Sequence, residues 1–123
     1  MRLLVVGVFG VLVGLVAGAA VGIHAQERPW TSDDVLAAID EASAETGVSY
    51  AWLYATVRCE TGWTFNPYSR GRQGELGAAQ LHPRGELLRF YSWGYDDPYS
   101  PYQAVRFMAQ RFAAGGWRAW SCA

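Results

Sequence analysis

Glu60 ends an apolar helical stripe, and the chain turns directly after it. Leu53, Val57 and Glu60 fall at i, i+4 and i+7, the spacing of one helix face. Gly62 stops that helix, Asn66-Pro67 signals a turn, and Gly71, Gly74 and Gly77 punctuate the stretch up to Gln80. Glycines at such spacing let backbone approach a ligand closely, so the layout is that of a cleft with a carboxylate on its edge. A carboxylate at a helix C-terminus feels the negative end of the helix dipole, and burial beside Leu53, Val57 and Trp63 would desolvate it further. Both effects raise its pKa, which suits a general acid that must hold its proton near neutral pH to cleave a glycosidic bond. On the residues alone, an ordinary exposed glutamate is the commoner occupant of a helix end. Glu75, inside the glycine loop, is a second carboxylate. It would either activate water or stabilise a sugar cation beside Glu60, or else bond loop amides.

Other chemistries fall away. The two histidines are His24 and His82; no nucleophile elbow, H-E-x-x-H, phosphate loop or dinucleotide fingerprint occurs. His82, before a proline, reads as a structural or surface residue rather than a base. No metal-ligand spacing is present and no cofactor is expected. A formal net charge of -1 implies no nucleic-acid partner. All 10 basic residues are arginine. Trp30, Trp52, Trp63, Trp93, Trp117 and Trp120 either fill a small core or line a sugar groove. Cys59 and Cys122 form one disulfide by default in an exported protein; a pair of buried free thiols is the other arrangement.

The elements that must position Glu60 are legible as helices. Leu3 to Ile23 carry no charge, and about 21 apolar residues can form either a signal peptide or a membrane anchor. Residues 1–25 are therefore assigned to export, with the membrane a partner if the segment is retained, and the rest of the chain faces outward. Residues 26–30 read as a linker. A first helix starts at Thr31 or Ser32, with Asp33 and Asp34 in its first turn, Val35, Ile39 and Ala42 inward, and Gly47 as its stop. Ser49 caps a second helix, Tyr50 to Glu60, apolar around most of its circumference and so expected to be central and largely buried. The stretch from Trp63 to Leu81 reads as loop, with at most a short hairpin near Arg70 to Ala78 and a helix beginning at Ala78. A third helix, Glu86 to Trp93, turns Leu87, Leu88 and Tyr91 inward. Ser100-Pro101 starts a fourth, with Gln103 completing a capping box and Ala104, Val105, Met108, Ala109 and Phe112 inward.

Glu60-Thr61-Gly62, Phe65-Asn66-Pro67, Ser69 and the run Gly74 to Pro83 (G-E-L-G-A-A-Q-L-H-P) together resemble the soluble lytic transglycosylase family of the lysozyme-like superfamily. That family's pattern is glutamate-serine-glycine, phenylalanine-asparagine-proline, serine, then glycine-x-x-glycine-leucine-methionine-glutamine and a proline. Asp97-Pro98 and Pro101-Tyr102-Gln103-Ala104 resemble its later turn and helix, so the likeness covers most of Ala51 to Phe112. It implies a mainly α, small α+β lysozyme-like domain over residues 31–123, acting on the glycan strands of peptidoglycan. Glu60 would protonate the glycosidic oxygen. Ser69, Gln80 and Tyr102 would line sugar subsites, with backbone near Gly77 and Glu75 close by. Thr61 stands for the family's serine and keeps the hydroxyl. Ala78-Ala79 stands for leucine-methionine and would open volume in the groove. The downstream tyrosine-asparagine motif is missing; Trp117 and Trp120 are either stacking surfaces in its place or core. Three alternatives to a transglycosylase stand beside it: a lysozyme-type hydrolase using Glu75, a non-catalytic glycan-binding module, and a membrane-tethered structural protein.

Overall fold

The computed structural model describes residues 29–123, so the export segment and most of the linker lie outside the described residues. Among the described residues four helices carry the fold: α1 (Ser32–Thr46), α2 (Tyr50–Glu60), α3 (Glu86–Ser92) and α4 (Pro101–Ala113), followed by a 3-10 turn at Trp117–Ala119. The chain is mainly helical. None of the described helices is long and apolar enough to cross a membrane.

Local chemistry sets the helix ends. Thr31 accepts from the Asp34 N–H, and Asp34 accepts from the Thr31 N–H at 2.9 Å, a reciprocal box that fixes the start of α1. Gly47 ends α1 at φ 78°, a conformation that costs glycine little. Ser49 caps α2 through the Trp52 N–H. Ser100 caps α4 through the Gln103 N–H. The expected box at α4 does not close, because the Gln103 side chain accepts from the Asp96 and Asp97 N–H groups and donates to Asp96 Oδ1. It holds the preceding turn instead. Trp30, at the end of the linker, is tied down: its N–H donates to the Tyr68 hydroxyl at 2.8 Å.

The main helix–helix packing is α1 on α4, with α2 laid against α1. Val35, Ile39, Leu53, Leu81, Phe90, Phe107 and Met108 are fully buried. Phe107 is the hub of an aromatic cluster, with Phe90, Trp93 and Trp120 set edge-on to it at centroid distances of 5.4, 5.1 and 6.4 Å. Trp120 belongs to this core, and Trp117 packs half-buried at its edge against Trp52. Trp120 is buried, and its indole N–H donates to the Ala79 carbonyl at 2.7 Å. Ala78 and Ala79 are likewise buried, so they open no space in a groove; the volume beside them is filled from the tail.

Three expectations about elements need correction. Helix α2 is not surrounded by protein: Leu53, Thr56 and Val57 are buried, but Tyr50, Ala51 and Ala55 are exposed. On α3 the inward face is Glu86, Leu87 and Phe90, while Leu88 is 60 % exposed and Tyr91 also faces outward. Glu86 can occupy the inner face because Arg111 of α4 meets one carboxylate oxygen at 2.7 Å and Arg89 the other at 3.0 Å, so the buried charge is paired. The stretch from Trp63 to Leu81 is loop, as expected, with no more than two isolated antiparallel bridges, Arg70 with Leu76 and Leu76 with Leu81. No helix begins at Ala78; residues 77–80 form a turn closed by the Gln80 N–H on the Gly77 carbonyl.

Candidate active site

Helix α2 delivers Glu60 to the edge of a cleft, and the turn after it is built by hydroxyls. The Thr61 hydroxyl donates to the Val57 carbonyl at 2.8 Å and accepts from the Phe65 N–H at 3.0 Å. The Thr64 hydroxyl donates back to the Thr61 carbonyl, and Asn66 Oδ1 accepts from the Tyr68 N–H. Threonine at 61 thus holds the turn. Trp63 does not bury Glu60. Gly62 and Trp63 both adopt positive φ, 64° and 71°, and this reversal leaves the indole 70 % exposed. Arg58 lies over its ring at 4.1 Å from the centroid. Three non-glycine residues near the cleft, Trp63, Phe65 and Gln80, hold positive φ; such backbone costs about 1–3 kcal/mol each and collects at functional sites.

The cleft encloses about 420 Å³ and is walled by Glu60, Thr64, Asn66, Ser69, Arg72 and Gln80 among others. Glu60 is its single lining carboxylate among the described residues. It is half-buried. Its pKa stands above the ordinary 4.5, chiefly because burial strips water from the charged form, with the negative charge of Glu75 adding to the rise. One contact opposes this: the Cys122 N–H donates to Glu60 Oε2 at 3.4 Å. The Cys59–Cys122 disulfide, with Cα atoms 5.9 Å apart, holds the tail in that position.

The other expected site residues divide. Ser69 and Gln80 line the cleft. Gln80 also braces it, its amide donating to the Ser69 and Gly77 carbonyls at 3.0 and 2.9 Å. Glu75 stands behind the wall. Its Oε1 accepts from the Gln73 N–H at 2.7 Å, the loop-bonding role, yet its charge still reaches Glu60. The Glu75 carboxyl and Gln80 Oε1 both sit over Gly71, where an added methyl would meet them at 2.6 and 2.8 Å. A methyl there would require the ends of these two flexible side chains to shift. His82 is structural: Nδ1 accepts from the Arg84 N–H, which leaves Nε2 to donate to Gln73 Oε1 at 3.0 Å.

Gly77 and Tyr102 are not brought to the cleft. Tyr102 sits between helices, its hydroxyl donating to Asp34 Oδ1 of α1 at 3.2 Å and its ring edge-on to Trp30. Gly77 is buried at φ 78°, directly under the Pro98 carbonyl. Replacing Gly77 with alanine is expected to cost at least about 2 kcal/mol, from left-handed strain plus a clash with fixed backbone. A urea titration of the variant checks this; an unchanged midpoint would refute it. Sequence reasoning missed Arg70 and Arg72, which line the cleft. Their position next to Gly71 was the available signal.

No family model matches this chain, and no curated protein or solved structure matches it.

Proposed function

We propose that this protein is an exported, lysozyme-like peptidoglycan lytic transglycosylase with Glu60 as its acid and base. The observation that carries the reading is a lone half-buried carboxylate with a raised pKa in the wall of an open cleft. A group poised in this way can be protonated when substrate arrives and charged after one transfer. Protonated Glu60 gives its proton to the glycosidic oxygen, and the bond from that oxygen to the muramyl C1 breaks. Glu60, now a carboxylate, takes the proton of the same sugar's C6 hydroxyl as O6 bonds to C1. The product is a 1,6-anhydro end, and no water is consumed. The tethered hydroxyl supplies a large effective concentration, so one carboxylate suffices. The disulfide supports an oxidising destination outside the cytoplasm. The N-terminal apolar segment would serve as signal or anchor.

Purified protein incubated with peptidoglycan should release muropeptides one water lighter than hydrolysis products, read by mass spectrometry. Fully hydrated reducing ends would exclude the transglycosylase route. That outcome would favour a second reading, a hydrolase, because the charge of Glu75 reaches Glu60. Binding without any release would leave a glycan-binding module.

A further inference from the structure

We infer that Arg70 and Arg72 form an anion-reading wall in the cleft. They would select glycans that carry a carboxylate on or near the sugar beside the bond addressed by Glu60. The inference rests on the function proposed above and names its substrate class more narrowly.

Both arginines are exposed and line the same opening as Glu60. Neither makes an ion pair among the described residues. Arg89, Arg106 and Arg111 each hold a glutamate, and Arg58 and Arg118 lie over indole rings. Nor are Arg70 and Arg72 engaged with the cleft's own acid. The groups that act on Glu60 are its surrounding protein bulk, the Cys122 N–H and Glu75, and no guanidinium figures among them. Glu75 is bonded by the Gln73 N–H. Two cations therefore share a cleft with a carboxylate that they do not neutralise. Guanidinium presents a planar fork of donors that matches a carboxylate oxygen pair. A muramyl sugar bears a lactyl ether at C3, two carbons from the reacting C1. Its carboxyl is either free or continued into a peptide bearing further carboxylates. A polymer of N-acetylglucosamine alone has no such group.

The test uses Glu60→Gln protein, so that binding is read without turnover, with and without Arg70→Gln/Arg72→Gln. Three probes are titrated: peptide-stripped muramyl glycan strands, intact soluble peptidoglycan strands, and neutral chitin hexamer. With the arginines present, the acidic strands should bind about tenfold or more tighter than the hexamer, the factor expected of a charge-assisted hydrogen bond. In the double variant this ratio should collapse toward one, and Arg70→Lys/Arg72→Lys should restore part of it. Collapse on stripped strands identifies the lactyl carboxylate; collapse confined to intact strands identifies the peptide. Thermal melting of each variant reports folding. A ratio unchanged by the glutamine pair overturns the inference, as does a parallel loss on all three probes. If wild-type protein cuts peptidoglycan while the ratio stays flat, the arginines alone are misassigned. If it neither binds nor cuts any of the three, the proposed function and this inference fall together.

Discussion

Glu60→Gln is expected to lower peptidoglycan cleavage by at least about 100-fold, the lower end of what a positioned acid–base group contributes. The amide keeps the shape, and its oxygen can still accept the Cys122 N–H, so glycan affinity should survive. Wild-type activity should fall as pH rises through the raised Glu60 pKa, because the acid arrives without its proton. The same displacement has a stability consequence with a fixed sign. Glu60 binds its proton more tightly in the folded chain than in the unfolded one. The contribution of Glu60 to stability therefore declines as pH climbs from the ordinary 4.5 through the folded value. Glutamine carries no such charge. The variant should melt above the wild type at neutral pH, and the two curves should converge in acid. Wall lysis at the wild-type rate by the purified variant would remove Glu60 from the mechanism. A variant less stable than wild type at neutral pH would contradict the burial account.

Removing the disulfide, as Cys59→Ala/Cys122→Ala, is expected to cost about 4 kcal/mol from loop closure alone. The residues are 63 apart in sequence, and the entropy released to the unfolded chain grows with the logarithm of that span. In a domain of this size the loss corresponds to a fall in Tm on the order of 20 °C. A second effect separates this loss from generic destabilisation. The Cys122 N–H is the contact that holds the Glu60 pKa down. With the tail released, that pKa should climb, and the alkaline limb of the pH–activity profile should move to higher pH. Differential scanning calorimetry and a pH series, each run with and without reductant, measure the two effects. A Tm that ignores reductant would show that the bond contributes little.

The helix borders were the most legible part of this chain because they are local. Thr31, Gly47, Ser49 and Ser100-Pro101 each bond within a few residues, and α1, α2 and α4 begin where those caps predict. What failed was non-local. The inward face assigned to Leu87, Leu88 and Tyr91 overlooked Glu86, which Arg111, 25 residues on, pairs from inside, so Leu88 and Tyr91 face out. Trp63 is expected from the sequence to help bury Glu60, but the left-handed turn at Gly62 and Trp63 swings it outward. At the site, Glu60 was legible from its helix stripe and the turn after it, whereas Ser69 and Gln80 came only from the motif resemblance; both do line the cleft. Gly77 and Tyr102 occupy motif positions, yet one is sealed under Pro98 and the other sits between helices. A motif position reports what a segment is for only when the segment's neighbours are known.

The tail contact also puts the site under a clock. Glu60 is translated 62 residues ahead of the Cys122 N–H that it meets. A chain emerging from a ribosome or a translocation pore therefore presents helix α2 well before its acid is set. Thiol oxidation adds a second gate, one that the cytosol keeps shut. On the reading proposed here, the Glu60 carboxyl therefore takes its final setting only after delivery. The setting of the acid thus follows the order of synthesis and the change of compartment.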